Sequence, residues 1–282
     1  MRRRPGVSGS LPVAGELGEA RARWTWPPVE RVAVIVPAFD EAATIAEVLS
    51  LVLACVRPGN PDGMFDEVVV VSDGSTDDTA AIARGLGASV VELESNGGKA
   101  AALATGVAHS DARVVLFLDA DLVGFDAATF RRLVRPVVAG NAAMVVGIRD
   151  RGRWLTGLHA SQHGPLLSGV RCLRRELFEA VPDSFVRGYR IETALNWTCR
   201  QLGGVLLTTP LYGIRHRIKE RKRGVLRGFV ARISMFASVL AAFVELKVRR
   251  PRLRPSRLDL GPADVSARSV TSGPSPPASR IA

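Results

Sequence analysis

One stretch of the sequence, Val114–Asp121, constrains the fold and chemistry of this chain more than any other. Five apolar residues lead directly to two aspartates, Asp119 and Asp121, which Ala120 separates. Such a run is typical of a strand that is buried inside a sheet and ends at a polar edge. Residues i and i+2 of an extended segment point to the same side, so both carboxylates can face one ligand. Their oxygens suit Mg²⁺ or Mn²⁺, which neutralises a diphosphate, although an acidic pair at a strand end can also be a simple turn.

The surrounding sequence alternates between strands and helices. Arg31–Phe39 is a β-branched run of the kind found in parallel strands that are buried on both faces, and the apolar spacing of Thr44–Val56 predicts a helix. Further strands are predicted at Phe65–Ser72, Ser89–Leu93 and Val114–Leu118, and further helices at Asp77–Gly87, Ala100–Ala108 and Ile191–Leu202. This alternation predicts an α/β sandwich with a mostly parallel sheet.

Three polar segments follow the predicted strands. They are Pro37–Glu41, Asp73–Ser75 and Asp119–Asp121. Ligands of parallel sheets bind at the carboxyl ends of the strands, so we expect these segments to converge on one edge, with Lys99 able to reach it. Between them, Ser75 or Thr76 is expected to cap the helix that follows.

Four motifs, in this order, resemble those of the family 2 nucleotide-sugar glycosyltransferases with a GT-A fold. They are Val-Pro-Ala-Phe-Asp-Glu at 36–41, Ser-Asp-Gly-Ser-Thr-Asp-Asp at 72–78, Gly-Gly-Lys at 97–99 and Leu-Asp-Ala-Asp at 118–121. The resemblance covers Val32–Arg223. Three later segments, Ser168–Arg171, Gly188–Glu192 and Gly213–His216, are most similar to the glucosyl-3-phosphoglycerate synthases and the polyprenyl-phosphate sugar transferases.

The resemblance implies a nucleotide-sugar pocket. The residues that would line it are Pro37, Ala38, Glu41, Asp73, Lys99, Asp119 and Ala120. Within this set, Glu41 would lie near the ribose or the base, and Asp119 would meet the ribose. Asp73 would hydrogen-bond the base edge and Lys99 would contact the base or a phosphate, since a carboxylate accepts a pyrimidine N–H and a lysine pairs with a phosphate.

The resemblance also implies a metal site and an acceptor site. Asp121 and His216 would hold Mg²⁺ or Mn²⁺, because carboxylate and imidazole are both ligands of Mn²⁺. Asp121 and Glu192 are the catalytic candidates. Glu192 would be the base of an inverting transfer, but retaining relatives need no base there, and a polar position on a helix face is an equal alternative. The acceptor candidates are Gly169, Tyr189 and Arg190.

Length and composition limit the domain organisation. A chain of 282 residues, 47% of them hydrophobic, can form one domain with appendages. We expect a disordered arm at 1–28, a GT-A glycosyltransferase domain at 29–223, a basic amphipathic helix at 224–250 and a disordered tail at 251–282. The first segment lacks the apolar stretch of a secretory signal. The scattered cysteines Cys55, Cys172 and Cys199 fit reduced thiols, so a cytoplasmic protein is expected.

The net charge of +11 is concentrated in one segment. Gly213–Arg257 holds 14 Lys and Arg residues against Glu220 and Glu245, a net of +12, while the rest of the chain sums to −1. Its apolar part, Ile233–Val244, is shorter than the ~20 residues that cross a bilayer. Two interpretations stay open, a helix packed on the catalytic domain and an interfacial helix at anionic lipid on the inner face of the membrane. Nucleic acid is disfavoured, because few aromatic residues lie among the basic ones.

These observations together predict a metal-dependent glycosyltransferase, and leave a homodimer open. It would move a sugar from a UDP- or GDP-sugar to a small phosphorylated or lipid-linked acceptor. A sugar nucleotidyltransferase would carry a Gly-rich, Arg-containing loop where this chain has Pro37–Glu41. A non-catalytic nucleotide-sugar-binding protein at the membrane would not need both Asp119 and Asp121. Both alternatives are therefore disfavoured.

Overall fold

Nine strands lie in the part of the chain that the computed structural model describes, namely residues 31–57, 63–149, 168–188, 190–216, 238, 241–249 and 251–254. In chain order they are β1 (Val32–Ala38), β2 (Glu67–Asp73), β3 (Ser89–Leu93), β4 (Val114–Phe117), β5 (Leu122–Val123), β6 (Met144–Arg149), β7 (Arg171–Arg174), β8 (Leu206–Leu211) and β9 (Arg215–His216). Seven of them form one sheet in the order β3-β2-β1-β4-β7-β6-β8, and β5 pairs with β9. Only the backbones of Arg149 and His216 are described.

Helices cover both faces of the large sheet. They are α1 (Ile45–Leu53), α2 (Thr79–Gly85), α3 (Lys99–His109), α4 (Ala127–Val138), α5 (Arg175–Glu179), α6 (Arg190–Gln201) and α7 (residues 241–249). Alternate side chains of β1 point to opposite faces. Val34 and Val36 pack in the core layer with α1, α2 and α4, whereas Ala33 and Ile35 pack in the layer with α3, α5, α6 and α7. The result is a three-layer α/β/α sandwich.

The direction in which strands are added reverses beside β1. This strand pairs in parallel with β2 on one side and with β4 on the other. Such a switch point opens a crevice at the carboxyl ends of the strands, where α/β proteins bind their ligands. The loops that follow β1, β2 and β4 therefore surround this crevice.

The predicted α/β sandwich with a mostly parallel sheet is confirmed. The strand β7 is the exception, because it runs antiparallel to both β4 and β6. The cap predicted for the helix after β2 is wrong. The N-cap residue of α2 is Asp78, while Ser75 and Thr76 hydrogen-bond to Asp40 instead. The helix consequently begins at Thr79, two residues later than predicted.

Helix α7 lies within residues 224–250, where the sequence predicts a basic amphipathic helix. Ala242 and Leu246, one turn apart, are buried in the core layer that includes α6. On the same helix, Glu245 forms an ion pair with Arg190 of α6. Val244 and Val248 are exposed. These nine residues pack on the sandwich, and no described helix has the length and apolar content needed to cross a bilayer.

The three cysteines are buried and free, as the sequence analysis predicted. Burial raises the pKa of the Cys199 thiol to about 12, and it raises the pKa values of Cys55 and Cys172 as well. Neutral thiols of this kind contribute apolar packing.

Candidate active site

Hydrogen bonds join the loops at the carboxyl ends of the strands. The loop after β1 contacts the loop after β2, since the backbone N–H of Asp40 donates to Ser75 Oγ at 3.1 Å and that of Glu41 donates to Thr79 Oγ1 at 2.8 Å. The loop after β3 is held by Asp73, at the end of β2, through two further hydrogen bonds. The three predicted polar segments and Lys99 thus lie at one edge of the sheet.

The β1–α1 loop has an unusual backbone that its neighbours hold in place. Asp40 has a φ of 51°, in the left-handed region that Asp tolerates better than most residues. Its Oδ1 accepts hydrogen bonds from the backbone N–H of Thr76 at 2.8 Å and from Thr76 Oγ1 at 3.2 Å. Beside it, Glu41 accepts a hydrogen bond from Thr44 Oγ1 at 2.8 Å. The β1–α1 loop, which follows Pro37 and Ala38 of β1, forms one wall of the crevice. Its hydrogen bonds hold this wall in one conformation before a ligand binds.

Phe39 was not singled out from the sequence. This residue is 38% exposed at the end of a buried strand, although most large apolar side chains of this strand and its neighbours are inside. The sequence pattern that could have identified Phe39 as a site residue is an aromatic residue directly after a buried strand and directly before acidic residues.

Lys99 lies at the centre of the site. Its Nζ is 2.5 Å from Asp119 Oδ1 and 3.5 Å from Glu192 Oε1. Burial alone would lower the pKa of Lys99, but the negative charges of Asp119 and Glu192 outweigh it and raise this pKa above its ordinary value. The amine is therefore a permanent cation that joins the end of β4 to helix α6.

Gly169 lies directly against this ion pair. A Cβ atom at residue 169 would be 2.6 Å from Asp119 Oδ2 and closer still to Lys99 Nζ. Real Cβ atoms do not approach other heavy atoms so closely, so any side chain here would displace the pair. The predicted acceptor residue Gly169 is thus next to the predicted donor-binding residues.

A second cation, Arg171, is buried beneath the site with only 1% of its surface exposed. Its Nε donates to the carbonyl oxygen of Ser168 at 2.7 Å, and its Nη1 donates to Asn196 Oδ1 at 2.8 Å. Burial lowers the pKa of Arg171, and the charges of Glu192 and Asp119 oppose this shift. No role was predicted for Arg171 from the sequence. The sequence pattern that could have indicated its burial is an arginine between the apolar residues Val170 and Leu173.

The two predicted metal ligands come from segments that a small sheet brings together. Asp121 directly precedes β5, and β5 pairs with β9 so that Leu122 lies opposite His216. The backbone of His216 is therefore beside the residue that follows Asp121. Among the side chains that the structure describes, which exclude that of His216, no group of three or more His, Cys, Asp and Glu residues could hold a metal by itself.

Arg190 and Tyr189 are the remaining acceptor candidates. Arg190 forms an ion pair with Glu245, and its guanidinium lies 4.6 Å from the ring centroid of Phe185, so it joins α6 to α7. Tyr189 lies outside the described residues.

Known sequences are similar to this chain over the region that contains the site. The model of glycosyl transferase family 2 matches residues 33–190. The glucosyl-3-phosphoglycerate synthase of Mycolicibacterium paratuberculosis is 30% identical over 218 residues, which cover 62% of this chain and 63% of that protein. An undecaprenyl-phosphate 4-deoxy-4-formamido-L-arabinose transferase of Klebsiella pneumoniae is 33% identical over 105 residues, which cover 35% of this chain and 31% of the relative. The chain thus spans less than two thirds of the length of these relatives.

Solved structures agree with the fold. The crystal structure of glucosyl-3-phosphoglycerate synthase from Mycobacterium tuberculosis with Mn²⁺, UDP and phosphoglyceric acid has a TM-score of 0.61 and 28% identity, and the match covers 86% of this chain and 84% of that one. A structure of that enzyme with Mg²⁺ and UDP has the same TM-score and identity, and covers 86% and 85%.

The GT-A sandwich predicted from the motifs is confirmed by this structural agreement. The family model matches more than half of the chain, and it spans the four motifs that first suggested the resemblance. This chain belongs to glycosyl transferase family 2.

Proposed function

We propose that this protein is a metal-dependent glycosyltransferase that moves a sugar from a UDP- or GDP-sugar to a small phosphorylated or lipid-linked acceptor. The observation that carries the proposal is the position of the Lys99 ammonium group between Asp119 and Glu192. Candidate residues for the donor and for the acceptor meet at this one cation. They do so at the sheet edge where α/β proteins bind ligands.

Asp121 and His216 fit a divalent ion. The pairing of β5 with β9 places the backbone of His216 opposite Leu122, the residue after Asp121, and a carboxylate with an imidazole is a donor set that Mn²⁺ accepts. Mg²⁺ and Mn²⁺ sites commonly take further ligands from substrate phosphates, so two protein ligands suffice here. Such an ion, when bound, supplies electrostatic stabilisation of the departing diphosphate.

The donor nucleotide would lie along the β1–α1 loop. Pro37, Ala38 and Glu41 line this wall, and the exposed ring of Phe39 offers an apolar surface beside it. Lys99 is positively charged because Asp119 and Glu192 raise its pKa, so it would stabilise negative charge that develops on the leaving group. Asp119 and Ala120, which follow β4 after Leu118, would contact the ribose end of the donor.

The acceptor would approach from the side of α6. Glu192 and Gly169 lie there next to Lys99, and Tyr189 and Arg190 precede Glu192 in sequence. The names of the relatives refer to two acceptors, phosphoglycerate and a polyprenyl phosphate, which both carry a phosphate group. The 14 basic residues of Gly213–Arg257 favour an acceptor of this charge. We place the enzyme in the cytoplasm, in solution or at the inner face of the membrane.

The test is turnover of UDP-glucose and GDP-mannose, with phosphoglyceric acid or undecaprenyl phosphate as acceptor, with and without Mn²⁺. We expect Asp121→Ala to fold normally and to lose Mn²⁺-stimulated turnover by about 10²-fold or more, because a bound ion stabilises the transition state by several kcal/mol. The matched control is Asp111→Ala, which removes an exposed carboxylate before β4. Near-normal Mn²⁺ stimulation in folded Asp121→Ala would contradict the metal site.

A further inference from the structure

The side chain of Asp73 is buried and already hydrogen-bonded within the protein. It ends β2, is 4% exposed, and accepts hydrogen bonds on both carboxylate oxygens. Its Oδ1 accepts from the backbone N–H of Gly97 at 2.8 Å, and its Oδ2 accepts from that of Gly98 at 2.9 Å. Both oxygens thus hold one loop, the connection from β3 to α3.

This loop is the start of α3. Gly98 is the N-cap residue of the helix, Lys99 is its first residue, and the N-cap residue itself provides no capping side chain. The first N–H groups of a helix need external acceptors, and a negative charge near them is favourable because of the helix dipole. The carboxylate of Asp73 lies at this end of α3, so it acts as a cap that comes from a different strand.

The loop after β2 touches the same segment through its backbone. Gly74 has a φ of +70°, and a Cβ atom there would lie 2.6 Å from the backbone nitrogen of Asn96. Only glycine allows the two loops to approach so closely. Asp73 and Gly74 therefore fix the position of residues 96–98 together.

We infer that Asp73 is a positioning residue, which sets the first turn of α3 so that Lys99 reaches Asp119 and Glu192. The chain of contacts runs from the carboxylate of Asp73 through the N–H groups of Gly97 and Gly98 to Lys99, and then to the two acids. A direct contact between Asp73 and the nucleotide base is not required. The inference rests on the proposed function only for its turnover measurement.

The first experiment compares Asp73→Asn, Lys99→Met and the double variant, in UDP-glucose turnover with Mn²⁺. In Asp73→Asn an amide NH₂, a donor, replaces an oxygen that faces a backbone N–H. A displacement of ~1 Å can lower a rate by about 10²-fold, so we expect a loss of this size in kcat/KM. Because Asp73 acts through Lys99, the double variant should lose no more than Lys99→Met alone. The ratio of UDP to CDP affinity should stay that of the wild type.

The matched control is Asp78→Asn, which makes the same chemical change at a nearby residue whose side chain caps no helix. Amide hydrogen exchange supplies a measurement that needs no activity. We expect faster exchange at residues 97–102 in Asp73→Asn and unchanged exchange there in Asp78→Asn. Should Asp73→Asn not fold, Asp73→Glu keeps the charge and both acceptor oxygens but shifts the loop, and the same loss of turnover at constant base preference is expected.

Two results would overturn the inference. Losses that add in the double variant would show that Asp73 acts independently of Lys99, and an altered ratio of UDP to CDP affinity would show that Asp73 contacts the base. If the wild-type protein neither binds nor turns over any nucleotide-sugar, the proposed function fails. The exchange measurement then still decides whether Asp73 holds the start of α3.

Discussion

Charges of opposite sign share a small, partly buried volume in this site. Lys99 and Arg171 are the cations, and Asp119 and Glu192 are the carboxylates whose charges act on both. Removing one member of a buried charge network costs more than the pair contributes, because the other member keeps its desolvation cost. The effect of each substitution therefore depends on the partners that remain.

A single substitution tests whether Glu192 acts on the acceptor. Glu192→Gln keeps the shape of the side chain and removes its charge and basicity. If Glu192 acts on the acceptor, transfer should fall by about 10²–10⁴-fold while the affinity for the donor changes little. The measurements are the transfer rate and the affinity for UDP, and Glu94→Gln, an exposed glutamate after β3, is the control. An unchanged transfer rate would assign Glu192 a structural role on α6.

Among the elements, α7 connects the end of the described chain to the sandwich. It covers the face that carries α6, through buried Ala242 and Leu246 and through the ion pair of Glu245 with Arg190. These contacts favour a helix packed on the catalytic domain over one that lies wholly in a membrane surface. An apolar outer edge, with Val244 and Val248, remains available for other contacts.

Leu246→Ala tests whether α7 contributes to the core. Leu246 is 2% exposed, and truncation of a buried leucine to alanine costs about 2–5 kcal/mol of the free energy of unfolding. The control on the same helix is Val248→Ala, which is 76% exposed and should change stability by less than ~0.5 kcal/mol. Equilibrium unfolding in urea measures both. Equal, small effects would show that α7 does not pack in solution as it does in this structure.

For the molecule as a whole, charge is distributed very unevenly. The segment Gly213–Arg257 carries a net charge of +12, from 14 basic and two acidic residues, while the remainder of the chain is close to neutral. A basic segment next to an apolar helix edge attracts anionic surfaces through a salt-sensitive interaction. It also raises the local concentration of acidic substrates.

We therefore expect reversible binding of the full-length protein to vesicles that contain anionic lipid. Each basic residue near such a surface contributes ~1 kcal/mol, a contribution that salt screens, so binding should fall as the salt concentration rises. Neutral vesicles are the control, and flotation measures the bound fraction. A protein that does not bind anionic vesicles even at low salt would contradict this expectation and favour a helix packed on the catalytic domain.

Local sequence patterns determined the fold class, the strands β1 to β4 and the location of the site. The β-branched runs, the helical spacing and the polar residues at strand ends are properties of neighbouring residues, and they suffice to predict a parallel sheet with a polar edge. The same local patterns missed the strands β5 to β9 and the helices α4 and α5. A four-residue strand with arginine at both ends, Arg171 and Arg174, does not resemble a buried strand until its neighbours in the sheet are known.

Only the tertiary structure decided which site residues touch one another. Lys99 meets Glu192 of α6, the backbone of His216 lies beside that of Leu122, and both oxygens of Asp73 hold the start of α3. Each of these contacts joins residues that are distant in the sequence, so no local periodicity records them. The burial of Arg171 is decided in the same way, because packing, not composition, determines which cation is removed from water.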